Sequence, residues 1–299
     1  MDAAVEKSME GHHASPESRP SGGLLSSRTL LLTALVVGAF TFLFPFYYML
    51  LGGIQREQSP GLSAAVPNPA NFTFANFIEI NEVVDLGRTL LNSGIFTGGV
   101  ILSTLVLGLL AGYAMAQLDF RGRGVVFNVM LLLLIVPFML LMIPLYVMIV
   151  RWYGLSDNYL GMIFPFAVNP TAVFIFRQFF KQIPKDLFDA ARIDGASELQ
   201  VLVRIAVPIA RPAILTALIV TFIGPWNEFL WPFLITKQQN LQPLAVALGN
   251  FMSNAAARAE NPFGAILAGA TVLAVPAVLL FLAMQKHFIQ AQLGSGVKQ

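Results

Sequence analysis

Three histidines are the only imidazoles this chain offers for acid–base or metal chemistry, and their placement does not serve it. His12 and His13 adjoin in an N-terminal stretch rich in Ser, Gly, Pro and Glu. His287 follows the last apolar run, and no H-E-x-x-H or carboxylate at ligand spacing accompanies any of the three. Cysteine is absent, which excludes a thiolate nucleophile, a disulfide framework and a zinc–thiolate site. A G-x-x-x-x-G-K-S/T phosphate loop is also missing, so any ATP hydrolysis by that device belongs to another subunit. Gly294-Ser295-Gly296 lacks the strand-to-helix turn of a nucleophile elbow. The expectation is a chain with no catalytic residue, no metal ligand and no cofactor-binding residue of its own.

What remains is polar chemistry inside apolar surroundings. Asn227 and Glu228 fall within a long apolar run, flanked by Trp226 and Trp231. An ionisable side chain at mid-membrane costs about 2.5–3.5 kcal/mol on insertion scales, so such residues usually face a cavity. The competing reading puts the same motif at the end of its helix, with the tryptophans in an interfacial belt and Glu228 reaching water.

The elements that hold these residues follow from composition. Hydrophobic residues make up 56% of the chain and charged ones 11%, against about 25% charged in soluble domains. Six apolar stretches are long enough to cross a bilayer core as helices, at roughly 29–51, 89–116, 125–150, 159–180, 211–235 and 262–285. The fold class expected is an all-α integral membrane protein. Thirteen of the eighteen Lys and Arg fall on the side that holds both termini and the loop from Lys181 to Arg211, which predicts that side to be cytoplasmic. A pI near 9.0 does not signal nucleic acid, because these residues are scattered beside apolar segments. Residues 1–28 read as a disordered cytoplasmic tail, 29–285 as the transmembrane domain, and 286–299 as a cytoplasmic C-terminal tail. The first apolar run is too long for a signal-peptide core and is expected to remain as a helix. Residues 52–88 form the longest loop on the opposite side.

The Lys181–Arg211 segment is polar enough to leave the membrane, yet patterned. Pro184 suits a first helical turn, and Leu187, Phe188 and Ala191 share a face before Gly195 stops the helix. Ser197 and Gln200 make a capping box for a second helix, with Leu199, Leu202, Val203 and Ala206 on one stripe, ended by Pro208 and Pro212. Asp194 is expected to brace the turn, while Ala190, Ala191 and Ala196 keep it slim enough for another protein's groove. An amphipathic hairpin lying on lipid headgroups fits the periodicity equally well.

A resemblance separates the two. Asp189-Ala190-Ala191-Arg192-Ile193-Asp194-Gly195-Ala196, followed at the matching spacing by Ile205-Ala206-Val207-Pro208, resembles the E-A-A-x-x-D-G-A loop of ATP-binding-cassette importer permeases. Asp189 stands for the usual Glu and Val207 for the usual Leu. Gly224-Pro225-Trp226-Asn227-Glu228-Phe229-Leu230-Trp231-Pro232-Phe233-Leu234 and the run from Gln242 to Leu248 resemble the carbohydrate-uptake permeases of the maltose-transporter type, as do Ile143-Pro144-Leu145-Tyr146 with Gly154-Leu155 and the tail Gly294–Lys298. The resemblance implies a bacterial cell-membrane permease subunit of an importer. Its partners would be a second homologous permease, two ATPase subunits that carry ATP and Mg, and an extracytoplasmic solute-binding protein. It implies that Asp189, Ala190, Ala191, Arg192, Asp194, Gly195, Ala196 and Pro208 form the ATPase-coupling interface between spans 4 and 5. Trp226, Asn227, Glu228 and Trp231 would lie near a sugar pathway, where hydroxyls seek acceptors and pyranose faces stack on indoles. Two alternatives stand beside it: a secondary transporter driven by an ion gradient, and an importer permease for a polyol or glycerophosphodiester.

Overall fold

The computed structural model describes residues 23–57, 61–255 and 260–295; the expected tail over 1–22, with His12 and His13, and the last residues 296–299 lie outside the described residues. The chain divides into two units, Met1–Tyr48 and Met49–Gln299. In the first, the described part belongs to helix α1 (Gly23–Gly53), apolar on every face, with Leu30, Phe40 and Phe42 all exposed.

The second unit continues with α2 (Ala75–Val84), α3 (Leu86–Gln117), α4 (Arg123–Leu133), α5 (Phe138–Tyr146, prolonged by a π turn Val147–Trp152), α6 (Tyr159–Ile163) and α7 (Pro170–Gln182). After these come α8 (Lys185–Ile193), α9 (Glu198–Val201, with a π turn Leu202–Ala206), α10 (Val207–Ile209) and α11 (Arg211–Asn227). The last three are α12 (Leu230–Ile235), α13 (Leu244–Asn250) and α14 (Pro262–Ser295). Among the described residues the only β pairing is an isolated bridge between Gln55 and Phe72.

Helix α3 is the spine. Its first turn joins a core with Ile80, Leu244, Leu248 and Phe251, its middle a core with Ile149, Met162 and Trp231, and its last turns a core with Phe176, Phe180 and Phe188. Close packing on α7 is possible because α3 presents Gly108 and Gly112. A Cβ at Gly112 would sit 3.0 Å from the backbone nitrogen of Arg177.

Among the described residues three helices are long and apolar enough to cross a membrane, Arg28–Gly53, Leu86–Gln117 and Pro262–Gln285. These meet the expected first, second and sixth spans within a few residues. The others are not straight. The expected third span turns by 99° between Leu133 and Phe138, and the fourth by 50° between Phe166 and Pro170. Both bends fall where a proline strips the helix of a donor and drives the preceding residue out of the helical region. A third pair, Glu198–Ile209 with Arg211–Asn227, bends by 78°, but its first arm belongs to the expected loop. The expected fifth span, 211–235, breaks instead at Glu228, whose backbone is extended (ψ 121°). Two further helices were not anticipated. The apolar run of α13 is too short to read as a span, and α2 shows only a weak stripe of Asn76, Ile80 and Val84. Helix α14 continues past the expected end at 285 to Ser295.

The α3–α7 contact sets a test. Gly112→Ala must displace backbone rather than a side-chain tip and is expected to destabilise the detergent-solubilised chain by about 1–3 kcal/mol, whereas Gly94→Ala, which meets open space inside α3, is expected to hold or slightly raise its melting temperature.

Candidate functional site

Residues Lys185–Ile209 fold into a braced hairpin. Helix α8 begins after Pro184, carries Asp186 in its first turn and Arg192 in its last, and so complements its own dipole at both ends. It ends as expected at Gly195, which adopts φ +86°; Ala196 N–H donates to Ala191 O and Gly195 N–H to Arg192 O, each at 3.0 Å. That pairing satisfies the terminal carbonyls and needs a residue without a Cβ at the left-handed position. The capping box is also present, with Ser197 Oγ accepting from Gln200 N–H and Gln200 Oε1 accepting from Ser197 N–H.

Asp194 does not brace the turn: it is exposed and its carboxylate has no hydrogen-bond partner among the described residues. Arg192 does the bracing. Its Nε donates to Glu198 Oε1 at 2.7 Å and one Nη to Asp189 Oδ1 at 2.7 Å, so the shorter Asp189 still forms an ion pair. The second Glu198 oxygen accepts from the Tyr113 hydroxyl at 2.8 Å, which ties the hairpin to α3. Tyr113 is buried, edge-on to Phe180 and Phe188. The hydrogen bond from Arg192 holds the Glu198 carboxyl below the usual carboxylate range, and the same bond raises the Arg192 guanidinium above its own. Neither Glu198 nor Tyr113 stood out in the sequence. The one available sign was an opposite charge six residues after Arg192, across a glycine turn.

The buried stripe also shifts. Phe188, Val201, Leu202 and Ala206 pack inward, while Ile193 is 85% exposed, Leu199 63% and Val203 56%. The π turn over Leu202–Ala206 winds wider than an α-helix, so the expected run of Leu199, Leu202, Val203 and Ala206 falls out of phase. Pro208 and Ala190 are exposed, and Ala191 and Ala196 are half-buried against the core. The hairpin therefore stands on an apolar root and presents an apolar crest of Ile193, Leu199 and Val203.

The second candidate group is not brought together. Trp231 is fully buried and donates its indole N–H to Gly161 O, and Trp226 is buried with its indole N–H on Leu273 O. Neither ring is free to stack on a ligand, nor does either sit in an exposed belt. Asn227 is exposed and donates to Ile223 O one turn back. Glu228 caps α12, one carboxylate oxygen accepting from Trp231 N–H at 3.1 Å. Of the four, only Glu228 lines a cavity of about 380 Å³ bounded by α3, α5, α7 and α11. That cavity also holds Thr221 and Asn169 among apolar walls such as Val100, Phe138 and Phe166. The Thr221 hydroxyl is buried there without a partner. No group of residues suited to a metal occurs among the described residues.

Residues 104–293 match the family described as binding-protein-dependent transport system inner membrane component. The chain belongs to this family. It is thus a multi-pass inner-membrane permease of the ATP-binding-cassette type, from a family of transporter subunits that are not themselves enzymes. The permease is 32% identical over 264 residues to the arabinooligosaccharides transport system permease protein AraQ of Bacillus subtilis, covering 86% of this chain and 91% of that one. It is 27% identical over 267 residues to the sn-glycerol-3-phosphate transport system permease protein UgpE of Pectobacterium atrosepticum, covering 87% and 94%. Its fold is that of a chain in the crystal structure of a bacterial ABC transporter involved in the import of the acidic polysaccharide alginate. The TM-score is 0.76 at 22% identity, over 92% of this chain and 100% of that one.

The Tyr113–Glu198–Arg192 chain gives the permease a pH signature. A carboxyl depressed on folding adds stability above its ordinary value of about 4.3, and that stability is lost as pH falls through the lowered value. Melting curves are expected to show a loss below about pH 4.3 that is smaller in Glu198→Gln. At neutral pH, Tyr113→Phe is expected to cost about 0.5–1.5 kcal/mol.

Proposed function

We propose that the permease crosses the membrane six times, with bent or broken third, fourth and fifth spans and both termini in the cytoplasm. In this reading it is one of two homologous permease subunits that import a neutral sugar or oligosaccharide. Two ATPase subunits inside carry the ATP and Mg, and a solute-binding protein delivers substrate outside. The Asp189–Pro208 hairpin is the coupling element. Closure of the ATPases drags it, and the rigid link through Glu198 and Tyr113 passes that displacement to α3, switching access from one side to the other.

The observation that carries this reading is the braced hairpin with its bare crest. Ile193, Leu199 and Val203 project from an element whose root is locked by Phe188 and whose turn is locked by Arg192, so a partner gripping the crest moves a rigid body. A hairpin meant only to lie on headgroups needs no hydrogen-bonded tie to a spanning helix.

The cavity supports the neutral solute. Glu228, Thr221 and Asn169 offer an acceptor, a free hydroxyl and an amide to sugar hydroxyls, while the carboxylate works against a phosphate-bearing solute. Asn227 and the two tryptophans act on this path through the placement of Glu228, not by contact.

Two measurements in the assembled complex decide. Gly195→Val forces a β-branched residue into φ +86° and is expected to abolish substrate-stimulated ATPase activity while membrane insertion stays normal; normal stimulation would sink the lever. Glu228→Gln is expected to raise the transport KM for the sugar by about tenfold, the loss of one charge-assisted hydrogen bond, and unchanged kinetics would remove the cavity from the pathway.

A further inference from the structure

Arg177 belongs neither to the hairpin nor to the Glu228 cavity. It lies near the end of α7 that faces α4, with its guanidinium carbon 3.7 Å from the centre of the Phe127 ring. Phe127 stacks on Phe174 at 6.2 Å, one turn further back on α7. The Arg177 Nε is buried without a hydrogen-bond partner, and the side chain makes no hydrogen bond among the described residues. Arg123, the first residue of α4, is near enough to repel it, and is itself held by Leu118 O and Asp119 Oδ1 at 2.9 Å each. Arg121, just before α4, and Lys181, in the last turn of α7, add positive charge, while Asp119 is paired with Arg123.

A guanidinium carries five donors in a planar fork; Arg177 is half-buried, and leaving its buried Nε–H without an acceptor is costly. The aromatic face relieves part of its charge but accepts none of its N–H groups. Among the described residues none supplies that acceptor. The outward side of α4 continues from this basic end as an apolar stripe, with Val125 68% exposed, Val129 50% and Leu132 61%. Positive donors at one helix end, with exposed aliphatic surface running away from them, match an anionic headgroup and its acyl chains.

We propose that α4 and α7 form a binding site for an anionic phospholipid, with the Arg177 fork on the phosphate and Arg123 flanking it. The proposal depends on the chain being embedded in a bilayer and not on what it transports. Its test reads lipid binding, so it stands or falls apart from the sugar reading.

Full-length permease in detergent is exchanged with phosphatidylglycerol or phosphatidylcholine of the same acyl chains, and retained lipid is counted by native mass spectrometry beside a melting curve. The wild type is expected to favour phosphatidylglycerol about tenfold and to melt higher with it, Arg177→Ala to lose both effects, and Arg177→Lys to keep part of them. Phe127→Leu retains the charge and tests the site should Arg177→Ala fail to fold; it is expected to weaken the preference. Equal retention of the two lipids by the wild type, or an unchanged preference in Arg177→Ala or, where that fails to fold, in Phe127→Leu, would overturn the proposal. So would an equal melting shift from inorganic phosphate alone, which marks an ion site without lipid.

Discussion

In hydrocarbon a peptide group without a partner costs several kcal/mol, and this permease interrupts its apolar helices repeatedly. The rest of the structure depends on how those interruptions are satisfied. Asn169 accepts from Thr171 and Ala172 N–H where the helix restarts after its 50° bend. Glu228 does the same for α12. Asp157, held at φ +51°, accepts from the backbone of both Lys237 and Gln238. Asn92 and Ser93, buried in α3, serve the segment before α13: the Asn92 amide donates to Asn240 O and Gln242 O, and Ser93 Oγ accepts from Leu244 N–H. Short polar side chains replace the missing ladder bonds, and that is why an apolar spine carries a buried Asn92 and Ser93.

The same economy explains why the hairpin is stiff. A nine-residue helix such as α8 is marginal in isolation, so its shape must come from contacts. Phe188 anchors it to α3 and α7, the glycine turn closes it, and Arg192 joins Asp189 to Glu198 while Tyr113 reaches Glu198 from the membrane side. Apolar burial fixes where the hairpin sits, and the charged chain fixes how it is oriented. The exposed crest and the buried root thus belong to one braced element.

Much of this was legible. The three long helices stand where uninterrupted apolar runs stand, and the capping box at Ser197 and the glycine stop at 195 were readable because they depend on neighbours within a few residues. What misled was periodicity across a change of pitch: the π turn at Leu202–Ala206 moved Leu199 and Val203 outward. Composition misled as well. Trp226 and Trp231 looked like ligand-stacking or interfacial residues, and instead each spends its indole N–H on a backbone carbonyl, of Leu273 and Gly161 respectively, that sequence distance had hidden.

The sequence by itself determined that this chain lives in a membrane and that the Asp189–Pro208 segment is a hairpin. Hydropathy and local capping are both properties of neighbours along the chain. Only the tertiary structure decided that Glu198 rather than Asp194 holds the turn, that Glu228 alone of its motif faces a cavity, and that the buried Arg177 Nε–H finds no acceptor among the described residues. Each of these turns on which distant helix comes to lie beside a polar atom. In a chain of bent helices, the spacing of residues does not encode that.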